Sequence, residues 1–124
     1  KPLLQAQDFE GEHFISLATS DPYRQAIDSV FAEHGVQRLQ MLETESAVAI
    51  CAMVRQGLGV AIVNPLTALE CAGNGLEVRP LSAAIPFRIS LMLPEARAPH
   101  PLRDALVQAL ESSSQALEKK LRAA

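Results

Sequence analysis

The stretch ETESAVAICAMVRQGLGVAIVNP, residues 43–65, passes from polar residues into an alanine-rich apolar run. Two spaced glycines follow, then a β-branched run that stops at Asn64-Pro65. Ala47, Ile50, Cys51, Val54 and Leu58 recur at spacings of three or four. That is the period of a helix with one apolar face, and it predicts a helix over about 46–56. Gly57 and Gly59 suit a helix end and a tight turn into a strand. Residues 60–63, VAIV, predict a central strand covered on both faces. Pro65 pushes Asn64 away from helical angles and blocks continuation of a ladder. In open α/β sheets, ligands bind beyond such strand ends.

Upstream, FISLA at 14–18 predicts a buried strand. Asp21 can cap the next helix, with Pro22 in its first position. Tyr23, Ala26, Ile27, Val30 and Phe31 then share one helical face, and Gly35 suits the position just past its end. RLQMLET, 38–44, is a second strand candidate. Downstream, TALECAGNG reads as a short helix or turn closing in a glycine-rich loop, and LEVRPL as a short strand. FRISLML, 87–93, alternates, with Phe87, Ile89, Leu91 and Leu93 on one side. PEARAPHP is a hinge-like link, and a last helix runs from about 101 to 121. The fold class is therefore α/β: a mainly parallel sheet flanked by helices. Residues 1–13 read as a lead-in and hinge segment, 14–93 as a ligand-binding lobe, and 94–124 as a hinge with the final helix.

The 124 residues suffice for one domain or one large lobe, and 48% hydrophobic content permits a core. A net charge of −3 argues against a phosphate-tracking surface in this segment. The basic tail, Lys119-Lys120-Leu121-Arg122, suits a helix C-terminus. Cys51 and Cys71 form no CxxC pair; Cys51 reads as a small core residue. No stretch is long enough to span a membrane. The opening Lys1-Pro2, in place of Met, suggests a processed or truncated piece.

Strand ends supply the candidate ligand-binding residues. Thr19 and Ser20 precede a helix start, where amides attract anions. They can meet a ligand carboxylate or simply satisfy the turn beside Asp21. Thr44 and Ser46 form a second hydroxyl cluster, again open to capping or contact. Glu45, with Glu43, can pair with a cationic ligand group or face water. Asn64 offers a donor and an acceptor ahead of Pro65. Tyr23 can orient a ligand but also fits the core stripe. Arg24 can reach a carboxylate or stay solvated. No catalytic set emerges: Ser20 lacks a nucleophile-elbow setting, and GLG at 57–59 precedes a strand where a phosphate loop follows one. His13, His34 and His100 lack metal-ligand spacing. No cofactor or metal site is expected.

The apolar helix end, QGLGV turn, short strand and proline together resemble the effector-binding region of the LysR-type bacterial transcription regulators. FISLATSDPYRQAIDSVFAEHG is similar to that family's preceding strand, helix and terminal glycine. GLEVRPL and FRISLMLPEARAPHPLRDALVQAL are similar to its last strands and final helix. The resemblance implies a two-lobed domain like those of periplasmic binding proteins, with a small effector between the lobes. It implies a homodimer or tetramer in the cytoplasm, DNA contact only through an N-terminal winged helix-turn-helix, and no enzymatic activity. On that basis this chain represents lobe two plus the C-terminal helix returning to lobe one. SDPYRQ and IVNPLTAL resemble the branch that senses octopine and nopaline, implying an amino-acid-like or opine effector. Asn64 is the departure from the usual pattern, and it adds hydrogen bonding at the cleft. The competing reading is a lobe of a periplasmic solute-binding protein for an amino-acid-like ligand.

Overall fold

The computed structural model describes residues 1–96 and 98–123. By packing, the chain divides into two units, Lys1–Arg88 and Ile89–Ala124. The first contains a 3-10 turn (Ala6–Phe9), β1 (His13–Leu17), α1 (Pro22–Glu33), β2 (Leu39–Thr44), α2 (Ala47–Arg55) and α3 (Pro65–Cys71). The second contains α4 (Pro101–Ala123).

β1 and β2 pair in parallel, from His13 opposite Leu39 to Leu17 opposite Thr44. The register slips between Phe14 and Ile15, which face Gln40 and Leu42 and leave Met41 as the extra residue. On its other side β1 meets Val60: the Ile15 amide donates to the Val60 carbonyl at 2.9 Å, and the Val60 amide to the His13 carbonyl at 2.8 Å. β1 therefore lies in the middle of three parallel chains.

Alternation along β1 sends successive side chains to opposite faces. Phe14 enters a cluster with Ala6, Phe9, Ile27, Phe31 and Val36. Its three phenylalanine rings meet edge to face at 5.4–6.0 Å. Ile15 and Leu17 enter a separate cluster with Ile50 of α2. Phe14 and Ile15 are both 0% exposed, as a strand covered by α1 on one face and α2 on the other requires. Residues 1–13 are part of this core, since Ala6 and Phe9 are buried in it.

The helix signals act where the sequence places them. Asp21 caps α1, accepting from the Tyr23 amide at 2.7 Å and the Arg24 amide at 3.3 Å, with Pro22 opening the helix. Gly35, at φ 65°, takes the left-handed position after it. Ser46 caps α2, and Asn64 caps α3.

The strand expectations fare less evenly. Residues 60–63 flank the sheet and are half-buried, with one bridge at Val60, whereas the sequence suggested a fully covered centre. Gly59 sets this approach: a Cβ there would lie 2.4 Å from the His13 carbonyl oxygen. LEVRPL forms no strand and contributes isolated bridges, from Leu81 to Leu4 and from Leu76 back to Gly73. FRISLML forms no strand, and Ile89 and Met92 are 71% and 91% exposed. Alternation specifies faces, but a strand also needs a hydrogen-bonding neighbour. β2 exposes Leu39, Met41 and Leu42 in the same way. In the second unit, α4 carries exposed leucines at 102, 106, 110 and 117, the apolar side expected from the sequence.

Truncating Phe14 to Ala should destabilise the protein by about 3–5 kcal/mol, because three rings lose their common contact. Met41→Ala on exposed β2 should stay within roughly 0.5 kcal/mol. Urea unfolding midpoints at unchanged slope would separate the two cases.

Candidate functional site

The parallel ladder sets the geometry of the candidate site. Leu17 and Thr44 are register partners at the ends of β1 and β2. Phe14 pairs with Val60, so the same register brings Val63 level with Leu17. The three chains thus end at one edge of the sheet. Each is followed by a polar turn and a helix start: 18–21 before α1, 45–46 before α2, and Asn64 before α3.

The turn after β1 closes with the Asp21 amide on the Ala18 carbonyl at 2.9 Å. Thr19 and Ser20 are exposed at its tip. The Gln25 side chain steadies it, donating to the Thr19 carbonyl at 3.2 Å. Asp21 already supplies a carboxylate to the first amides of α1. A second anion at that helix start would meet like charge. After β2, Thr44 Oγ1 accepts from the Ser46 amide at 3.3 Å, and Ser46 Oγ accepts from the Ala49 amide at 3.2 Å. Glu45 is exposed beside them. Asn64 Oδ1 accepts from the Thr67 amide at 3.0 Å, and its Nδ2 donates to Thr67 Oγ1 at 2.9 Å. Pro65 opens α3 with no amide hydrogen to satisfy. The caps of α2 and α3 are neutral, so their helix dipoles remain available to a negative group.

Tyr23 joins the start of α1 to the third chain. Its hydroxyl donates to the Val63 carbonyl at 3.4 Å, and its ring meets Phe87 edge to face at 5.7 Å. Burial raises its pKa, so the phenol stays a donor at neutral pH.

Arg24 occupies a different place from the solvated or ligand-facing positions suggested by sequence. It is 6% exposed. Nη1 donates to the Leu17 carbonyl at 2.7 Å and reaches Glu43 Oε1 at 3.1 Å, while Nε donates to Asp28 at 2.8 Å. Burial works against its charge, but the bonds to Asp28 and Glu43 outweigh it and raise its pKa. Asp28 also binds Arg38, whose guanidinium lies 4.6 and 4.2 Å from the Phe14 and Phe31 ring centres. Arg24 therefore clamps the ends of β1 and β2 to α1. Asp28 and Phe87 were absent from the sequence-derived site. The i,i+4 spacing of Arg24 and Asp28 was a readable signal for the first; nothing local marks the second.

Among the described residues no group of three His, Cys, Asp or Glu side chains could hold a metal ion. His34 binds the Val30 carbonyl at 2.8 Å, a helix-end contact. No described helix is long and apolar enough to cross a membrane.

A parallel α/β unit with polar turns gathered at one strand edge places those turns where open α/β sheets take ligands. The LysR substrate binding domain family matches residues 1–115, and the chain belongs to that family. It is 49% identical over 116 residues to the transcriptional activator protein LysR of Escherichia coli (strain K12), covering 94% of this chain and 36% of that protein. It is 31% identical over 116 residues to the regulatory protein NocR of Agrobacterium tumefaciens (strain T37), covering 90% of this chain and 39% of that one. The chain thus spans well under half the length of the curated relatives it matches. Both relatives are named as regulators, in agreement with the non-catalytic reading of the sequence.

Replacing Arg24 with Met should lower stability by about 2 kcal/mol, since it strips charged hydrogen bonds from the Leu17 carbonyl and two carboxylates. Urea unfolding at low and high salt would check the origin. The carbonyl part of the loss should persist in high salt, and the share from the half-exposed carboxylates should shrink.

Proposed function

We propose that this chain is the effector-sensing part of a DNA-binding transcription regulator, taking an amino-acid-like or opine molecule at the common edge of the three chains. The observation that carries this reading is the convergence of three polar turns on one edge, capped by the Asp21 carboxylate, the Ser46 hydroxyl and the Asn64 amide. Thr19 and Ser20, Thr44 to Ser46, and Asn64 with Pro65 form the contact set. Asp21, Tyr23 and Arg24 hold those turns in place. A ligand carboxylate is best met by the neutral caps Ser46 and Asn64, while exposed Glu45 suits a cationic group. Family membership and the regulatory names of the relatives favour sensing over solute transport.

In the whole protein, residues 14–93 serve as lobe two. Residues 1–13 lead into lobe two and pack in its core, and residues 94–124 return to a first lobe. An effector between lobes favours the closed arrangement by its differential affinity for that state. A coupling of about 1–3 kcal/mol is enough to alter how an oligomer holds DNA through a winged helix-turn-helix elsewhere in the protein. A cytoplasmic homodimer or tetramer is the assembly this mechanism requires.

Isothermal titration of the intact effector domain with arginine, octopine and nopaline tests the proposal. Saturable binding of one compound should weaken about tenfold in Ser20→Ala and in Asn64→Ala, the loss expected for one hydrogen bond near 1.4 kcal/mol. Thermal unfolding of each variant would separate lost contact from the lost Asn64 cap. No heat from folded protein would reject the ligand class, and binding untouched by both substitutions would reject the site.

A further inference from the structure

Cys51 and Cys71 are far apart in sequence, yet α2 and α3 pack against each other. Cys51 is 4% exposed on α2, and Cys71 is the half-buried last residue of α3. Both are free thiols. Arg55 lies one helical turn beyond Cys51 and so shares its face of α2. Its Nη2 donates to the Cys71 carbonyl at 3.1 Å. The face of α2 that carries Cys51 is therefore the face turned to the end of α3. Burial, and then the neighbouring Cys71 thiol, push the Cys51 thiol up to about 11. No third ligand stands by for a metal among the described residues.

We propose that Cys51 and Cys71 form a reversible disulfide, tying α2 to α3, when the protein meets a peroxide or a small disulfide oxidant. Half-buried Cys71 is reached first. Its thiolate attacks a peroxide oxygen and breaks the O–O bond, giving a sulfenic acid and releasing water or an alcohol. Cys51 then loses its proton to solvent and attacks the Cys71 sulfur. The departing hydroxide takes up a proton and leaves as water. Two thiols are oxidised by two electrons and one peroxide is reduced. With a disulfide oxidant, Cys71 forms the mixed disulfide and Cys51 expels the second thiol. Reducing conditions would reopen the bridge.

Ser46 caps α2 and Asn64 caps α3, so the bridge would fix two caps of the ligand edge relative to one another. That consequence rests on the proposed function; the crosslink does not.

The test treats the intact, folded protein with hydrogen peroxide and, separately, oxidised glutathione. It is quenched in acid, alkylated, and read by intact mass and peptide mapping. The expected result is a loss of two hydrogens per chain and a linked peptide pair containing Cys51 and Cys71. Dithiothreitol should reverse both, and Cys51→Ser and Cys71→Ser should each abolish them. The oxidised wild type should also melt roughly 5 °C or more higher. Oxidation that stops at a Cys71 adduct, with Cys51 still open to alkylation after unfolding, would overturn the proposal, as would bridges formed only between chains. The wild-type mass requires neither a cysteine variant nor an effector, so this outcome is separate from that of the ligand titration.

Discussion

Double-sided burial of β1 is the constraint on which the first unit depends. Phe14 and Ile15 are adjacent, so the strand must send them to opposite faces. One face then needs α1 and the 3-10 turn, which supply Ile27, Phe31 and Phe9. The other needs α2, which supplies Ile50. With both faces covered, only the two hydrogen-bonding edges of β1 remain, and these accept β2 and Val60. Parallel pairing on both sides aligns the three chain ends. The position of the candidate site is thus a consequence of how the core is filled.

The polar edge is joined to that core through two arginines. Arg38 stacks on Phe14 and Phe31 and binds Asp28; Asp28 binds Arg24; Arg24 binds Glu43 and the Leu17 carbonyl. Charges alternate along this chain, so each cation has a nearby anion. Exposed ion pairs add little to stability, but both guanidinium groups here are buried, and an unpaired one would be costly. The network therefore has a positional effect. It holds the end of β1, and so the turn carrying Thr19 and Ser20, against the start of α1.

The second unit shows a different balance. α4 has the long amphipathic pattern of a packed helix, yet its leucines at 102, 106, 110 and 117 are exposed. The preceding alternating segment likewise exposes Ile89, Leu91 and Met92. Membership of the LysR substrate binding domain family gives these features a context, because the relatives it matches are more than twice as long as the region they share with it.

Local chemistry was readable residue by residue. Asp21-Pro22 and Gly35 bounded α1, Ser46 opened α2, and Asn64-Pro65 started α3, because caps and turns act within a few residues of themselves. The α/β class and the three polar strand ends followed from the same signals. Partner choice was not readable. β-branching made residues 60–63 look like the central strand, but that position went to β1, whose two faces match two helices. Alternation in FRISLML named its faces without providing a neighbour. Arg24 looked free until folding brought Leu17 and Glu43 to it, and Cys51 looked solitary until α3 packed on α2. Each of these depends on contacts between residues distant in sequence. Hydrophobic pattern is one-dimensional, whereas burial and hydrogen-bond pairing are settled only when the layers close in three dimensions.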